Sequence, residues 1–241
     1  MEPKILKIAK LACLSLVCTV SLAAHAEDDF QQQDPWEGFN RKMFAFNDSL
    51  DRYVLKPAAK GYEKVLPDYV EQRVSNVFSN LGEISNFIND LLQGKVSQAG
   101  NDGGRFLVNT TVGLVGMYDV AKKVGLPKSD GEDFGQTLNA WGVSEGPYLV
   151  LPFLGPSTVT AAAGSAVDSQ LDPVRRIDHV PTRNTTYGVG LLDTRATLLE
   201  AEELISGDKY TFMRDAYLQR RDYLINDGEV EDNFGSADEE F

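Results

Sequence analysis

Apolar and polar positions recur with a helical period along most of this chain. Between Asp34 and Tyr53, the residues Phe39, Met43, Phe46, Leu50 and Tyr53 follow at intervals of four, three, four and three, which places them on one face of a helix. Arg41, Lys42, Asp48, Asp51 and Arg52 fall off that stripe, and Trp36 stands just ahead of it. Such a face suits the core of a soluble domain, while aromatic residues beside basic ones also suit a helix lying in a lipid headgroup layer. Lys56-Pro57 and Leu66-Pro67 are expected to break the pattern. Val74, Val77, Phe78, Leu81, Ile84, Phe87, Ile88 and Leu91 then resume a helical stripe that should stop near Gly94. A further segment begins near Ser97 and runs through Phe106 toward Val112. Gly100-Asn101-Asp102-Gly103-Gly104 lacks the Lys-Ser/Thr of a phosphate loop and reads as a turn.

Two stretches carry no charge. Phe106 to Tyr118 has 13 residues, too short to cross a bilayer as a helix but long enough for a buried helix end and turn, or a dip into one leaflet. Gly146 to Val167 has 22, yet Pro147, Pro152, Gly155, Pro156 and Gly164 forbid one straight helix. Irregular backbone at membrane depth needs protein or a water-filled cavity around it. A segment broken around Pro152 and leading into an Ala-rich helix from Ser157 to Val167 is therefore expected. Asp193 reads as the cap of a helix through Ala196, Leu198, Leu199, Glu202 and Ile205, and a last helix carries Tyr210, Met213, Tyr217 and Leu224. Strand-like alternation is scarce and short, so the pattern predicts an all-α single domain.

The first residues change the compartment. Lys4, Lys7 and Lys10 precede an apolar run from Leu11 to Ala24, and Ala24-His25-Ala26 has the small-x-small form of a signal-peptidase site. Residues 1–26 are expected to be a signal peptide, 27–226 the folded domain and 227–241 an acidic disordered tail. Cys18 follows the bulky Val17, and Cys13 has almost no apolar run before it, so no lipid anchor is expected. Cleavage after Ala26 leaves 215 residues (241 minus 26) with His179 as the one histidine and no cysteine. That excludes a disulfide, a thiolate nucleophile and a Cys/His zinc cage.

Formal net charge is −13 for the whole chain; the leader carries +2, so the remainder carries −15. Nucleic acid is excluded as a partner on that balance. Seven carboxylates and no basic residue lie between Asp227 and Phe241, either as a solubilising tail or as a docking arm for a basic partner.

One motif argues for an enzyme. Gly142-Val143-Ser144-Glu145-Gly146 fits Gly-x-Ser-x-Gly, with Asp168, Asp172 and His179 following in hydrolase order. An elbow needs a buried strand before the serine and a helix after it. Asn139-Ala140-Trp141 is no strand, and Pro147 and Pro152 block the helix, so no enzyme is expected. No carboxylate pair occupies an evident apolar pocket and no spacing fits a calcium loop, so neither a metal nor another cofactor is expected.

Asp34-Pro35-Trp36-Glu37-Gly38-Phe39-Asn40-Arg41 resembles the opening signature of the MlaA/VacJ family of outer-membrane proteins. Four further segments resemble that family in the same order: Phe106 to Asp119, Asp133-Phe134-Gly135-Gln136-Thr137-Leu138 with Trp141-Gly142-Val143, Gly146 to Ser157, and Leu192-Asp193-Thr194-Arg195-Ala196 continuing to Tyr217–Tyr223. Thr160 and Ala161 stand where many members carry a charged pair, and the expected lipidation cysteine is absent.

The resemblance implies amphipathic helices flat on the periplasmic leaflet of an outer membrane, around an internal amphipathic channel. It also implies maintenance of lipid asymmetry: phospholipid taken from the outer leaflet and passed to a periplasmic lipid carrier, beside a trimeric porin. On this view Phe106, Leu107, Val112, Leu114, Val115, Leu149, Leu151, Phe153 and Leu154 wall a passage for lipid tails. Trp36, Phe39, Met43, Phe46, Leu50 and Tyr53 meet the membrane interface. The competing expectation is a soluble periplasmic lipid-binding or scaffold protein.

Overall fold

The computed structural model describes residues 34–202 and 205–229, so the leader and most of the acidic stretch lie outside the described residues. It is helical, with one small hairpin. Helix α1 spans Glu37–Leu50 and runs through a π-helical turn, Asp51–Leu55, into α2, Lys56–Val65. The expected break at Pro57 does not occur. Lys56 N–H bonds back five residues to the Asp51 carbonyl, and this wide turn leaves room for the proline ring within the continuous helix, at the cost of the one backbone hydrogen bond that proline cannot donate. The break at Leu66-Pro67 does occur, both residues being extended.

Helix α3, Asp68–Gln93, ends at left-handed Gly94, and α4, Val96–Thr111, returns along it. Gly100 to Gly104 therefore belongs to a helix interior, correcting the turn expectation. A Cβ on Gly103 would come within 3.0 Å of the Phe87 ring, so its place in the helix is explained by close packing against α3. After α4 the chain turns sharply, with Leu114 and Val115 both at positive φ, 54° and 59°. That conformation is strained for a β-branched residue, on the order of 1–3 kcal/mol.

Helix α5, Phe134–Ala140, precedes strands β1, Tyr148–Leu151, and β2, Gly155–Thr158, which pair antiparallel with Tyr148 opposite Thr158. The segment does turn around Pro152, as a hairpin. It leads into α6, Val159–Leu171. The free edge of β1 is paired by side chains of α1. Asn40 gives its amide to the Tyr148 carbonyl and accepts from Val150 N–H; Asn47 gives to the Leu151 carbonyl and accepts from Phe153 N–H, all at 2.8–3.1 Å. Seven residues of helix rise about 10.5 Å and three of strand about 10 Å, so the two asparagines stay in register with the strand.

Helix α7, Val180–Thr197, starts at a His179 cap, and Asp193 lies buried inside it rather than capping it. Tyr62 and Ser75 hydroxyls donate to the Asp193 carboxylate, tying α2 and α3 to α7. A short α8, Leu199–Glu202, and a last helix α9, Lys209–Ile225, complete the described chain. Asp227 pairs with Lys95 at the start of the acidic stretch.

Burial is inverted. Among the described residues, the buried apolar side chains are eight, four of them alanines, against eighteen buried polar or charged ones, while thirty large apolar side chains are exposed. The seam between α3 and α4 shows why. Asn80, Glu83 and Asp90 on α3 and Asp102, Arg105 and Asn109 on α4 recur at helical spacing and face inward. Arg105 bonds Glu83 at 2.8 Å, the Leu126 carbonyl at 2.8 Å and Asp119 at 3.3 Å. Among the described residues, Tyr148, Val150 and Tyr210 form a buried apolar cluster, with Met43, Phe44, Tyr217 and Leu218 against them.

Asp90 is the least supported member of the seam: it has no exposure, and neither carboxylate oxygen has a hydrogen-bond partner. Burial first, then the charges of Asp102 and Glu132, push it up to about 7 against relief from Lys95. An unfolded aspartate releases its proton near pH 4, about where it is still held in the fold. Between about 4 and about 7 the native state binds one proton more, so stability falls as pH rises through that window. Asp90→Asn is expected to raise the thermal midpoint at pH 8 by roughly 2–4 °C for each kcal/mol recovered and to leave it nearly unchanged at pH 4. Melting curves at the two pH values check this.

Candidate functional site

Four pieces of chain enclose an apolar groove of about 370 Å³. Helix α1 and the π turn give Phe44, Asn47, Leu50 and Leu55; the hairpin tip gives Phe153, Leu154, Gly155 and Pro156. The opposite wall is Leu198, Ala201 and Ile205 with Phe212 and Met213 of α9. The tip is positioned by Asn47, by the left-handed Phe153 and Gly155, and by an edge-to-face contact of the Phe46 and Phe153 rings at 5.2 Å. Phe153 and Leu154 stay 69% and 76% exposed, so the hairpin presents two large apolar side chains at the mouth instead of burying them.

The polar rim is an ion-pair network on the same groove. Arg195 of α7 holds Asp51 with two bonds, 2.6 and 2.9 Å, and reaches Glu202 at 2.5 Å. Lys209 of α9 lies 2.7 Å from Asp48 and 3.3 Å from Glu202; Lys56 meets Glu202 at 3.1 Å and Arg52 meets Asp48 at 2.7 Å. Partial burial pushes Glu202 up, but Arg195, Lys56 and Lys209 outweigh it and hold the carboxyl near 2. Hydrogen bonding to Asp51, opposed by desolvation, holds Arg195 above its ordinary range. The rim therefore keeps both signs of charge at every physiological pH.

Of the residues expected to wall a lipid passage, Phe153 and Leu154 line this groove. Leu149 and Leu151 are half-buried on the strand face opposite Tyr148 and Val150. Phe106 is half-buried on α4, while Leu107, Val112, Leu114 and Val115 are 60–67% exposed there and in the strained turn, outside the groove. Among the expected interface residues, Trp36, Phe39, Phe46 and Tyr53 are exposed, Leu50 lines the groove and Met43 packs against the Tyr148 cluster. The sequence pattern does not bring the far wall and the rim to this groove. Leu198, Ile205 and Met213 were visible as helical apolar positions, but their pairing with α1 spans more than 140 residues. A second cavity of about 410 Å³ lies between α3, α6 and α7, with Phe78, Leu81 and Leu191 beside Asp168 and Tyr187.

The serine motif has the reverse of an elbow, with helix α5 before it and strand β1 after it. Its would-be partners are engaged elsewhere: Asp168 accepts from Ser85, Asn89 and Phe134 N–H, Asp172 from Tyr187, and His179 bonds Thr182. No helix among the described residues is long and apolar enough to cross a membrane.

A family model described as MlaA lipoprotein matches residues 32–224. The intermembrane phospholipid transport system lipoprotein MlaA of Shigella flexneri is 36% identical over 228 residues, covering 92% of this chain and 90% of that protein. Its namesake in Escherichia coli K12 is 35% identical with the same coverage. A solved structure from work on the structural basis for maintenance of bacterial outer membrane lipid asymmetry superposes with a TM-score of 0.71 at 34% identity, covering 81% of this chain and all of that one.

Proposed function

The chain belongs to the MlaA lipoprotein family, and from that premise we propose that it maintains outer-membrane lipid asymmetry, removing phospholipid from the outer leaflet and passing it to a periplasmic lipid carrier. The single observation that supports this best is the inverted burial among the described residues: a polar, ion-paired interior beneath thirty exposed large apolar side chains. Large apolar residues exposed side by side, as at Leu114 and Val115 or Phe153 and Leu154, are uncommon on a protein surrounded by water, whereas one lying in a leaflet keeps them covered by acyl chains. The groove supplies the second element, an apolar slot for tails beside charged groups for a head.

On this reading the exposed Trp36, Phe39, Phe46 and Tyr53 lie at the membrane interface, where their apolar surface contributes to attachment. Leu107, Val112, Leu114 and Val115 form a second apolar face for lipid or for a trimeric porin. Passage of a lipid needs no covalent step and no cofactor, and the engaged Asp168, Asp172 and His179 leave Ser144 without a base.

Deleting the gene is expected to raise surface-accessible phospholipid, measured by outer-leaflet labelling or hydrolysis, and this chain supplied in trans should restore the low level. Unchanged outer-leaflet phospholipid in the deletion strain would contradict the proposal. Release of the native protein by osmotic shock, without co-sedimentation with outer membranes, would favour a soluble lipid-binding protein instead.

A further inference from the structure

Resting on that reading, we propose that the groove selects a zwitterionic, phosphoethanolamine-type headgroup, its phosphate received by Lys209 and its ammonium by Asp48 and Glu202. The groove wall carries both signs: Asp48, Asp51 and Glu202 against Arg195 and Lys209. These groups are not equally available. Arg195 is clamped on Asp51 and Glu202 with its side chain only 12% exposed. Lys209 is 37% exposed, and its bonds to Asp48 and Glu202 occupy two of three ammonium protons, so of the two cations lining the groove it is the one an entering phosphate meets first.

A phosphate drawing Lys209 outward weakens its hold on two carboxylates at once. Asp48 keeps Arg52, and Glu202 keeps Arg195 and Lys56, but each loses one bond; a ligand that carries its own primary ammonium supplies the donor that Lys209 withdrew. An anionic headgroup such as phosphatidylglycerol takes Lys209 and offers those carboxylates nothing. A choline headgroup offers charge but no N–H donor and falls between the two. Discrimination thus comes from the carboxylates, which act against the wrong head as much as for the right one. The apolar walls give tail affinity that is the same for all three lipids.

The test uses the purified full chain in detergent, with dioleoyl phosphatidylethanolamine, phosphatidylcholine, phosphatidylglycerol and diacylglycerol as probes and native mass spectrometry as readout. Phosphatidylethanolamine should be preferred over phosphatidylglycerol by about tenfold, phosphatidylcholine lying between them. Asp48→Asn with Glu202→Gln should shrink that preference to about twofold or less, checked in protein whose helical circular dichroism is intact. Lys209→Gln should lower binding of all three phospholipids without affecting diacylglycerol. Equal binding of the three phospholipids by the unaltered chain would overturn the headgroup assignment and leave the groove reading standing. No binding of any probe, diacylglycerol included, would sink the groove itself. Soluble glycerophosphoethanolamine competing as well as the lipid would also overturn the proposal, showing a site for free phosphoesters.

Discussion

Replacing Arg105 with alanine is expected to remove about 3–5 kcal/mol of folding stability, the range for breaking a buried ion pair from one side. Both side chains of the pair are enclosed, at 3% and 1% exposure. The guanidinium joins Glu83 on α3, the Leu126 carbonyl and Asp119, so its loss leaves a buried carboxylate without its cation and a carbonyl without a donor. Asn86 alone still donates to Glu83, at 3.1 Å. Denaturant unfolding of the purified variant measures the loss. The double variant Arg105→Met with Glu83→Leu should recover part of it, because the buried carboxylate at 83 is no longer left without its cation, while the Leu126 carbonyl and Asp119 still lack the guanidinium. A single variant as stable as the parent would show that the polar seam is not what joins α3 to α4.

Leu154→Asp is expected to abolish lipid retention while leaving the fold intact. The side chain is 76% exposed at the mouth of the groove, where removing an apolar contact with water costs the fold little, within about 0.5 kcal/mol. A carboxylate facing acyl chains costs about 2.5–3.5 kcal/mol, a loss of lipid occupancy on the order of a hundredfold. Phe153→Asp should act in the same direction, since aspartate tolerates the left-handed backbone at φ 66° better than most residues. Phospholipid co-purifying with the protein and its thermal midpoint, measured together, separate this result from simple unfolding. Lipid content equal to the parent's would remove the hairpin tip from the site.

Much of the helical scaffold is legible in the pattern of residues. The stripe from Phe39 to Tyr53, the run ending at Gly94 and the turn at Pro152 all correspond to observed elements. Local rules failed where another residue supplied what the rule assumed missing. Pro57 continues a helix because a π turn precedes it, and Gly103 sits in a helix because Phe87 occupies the space a side chain would take. The hairpin was not read as strands, since each strand has only four residues and one edge is paired by Asn40 and Asn47 from a helix.

The larger difficulty was the direction of amphipathicity. A stripe such as Phe39, Phe46 and Tyr53 looks the same whether it faces a core or a membrane. The deciding partner, the polar stripe of Glu83, Asp90, Asp102 and Arg105, is informative only once two helices are known to pack through it. For the same reason the groove was half visible: Leu50, Phe153 and Leu154 could be named, whereas the Arg195–Asp51 bonds cross 144 residues of sequence and had no local signal.

The most direct test places a photo-crosslinking benzoylphenylalanine at Phe212, on the inner wall of the groove, in protein irradiated within native outer membranes. The account predicts a covalent adduct with the mass of one phospholipid, and its disappearance when Leu154→Asp is added. No lipid adduct at position 212, beside a clear one at the exposed Val115, would mean that acyl chains touch the protein's outer surface but do not enter the groove.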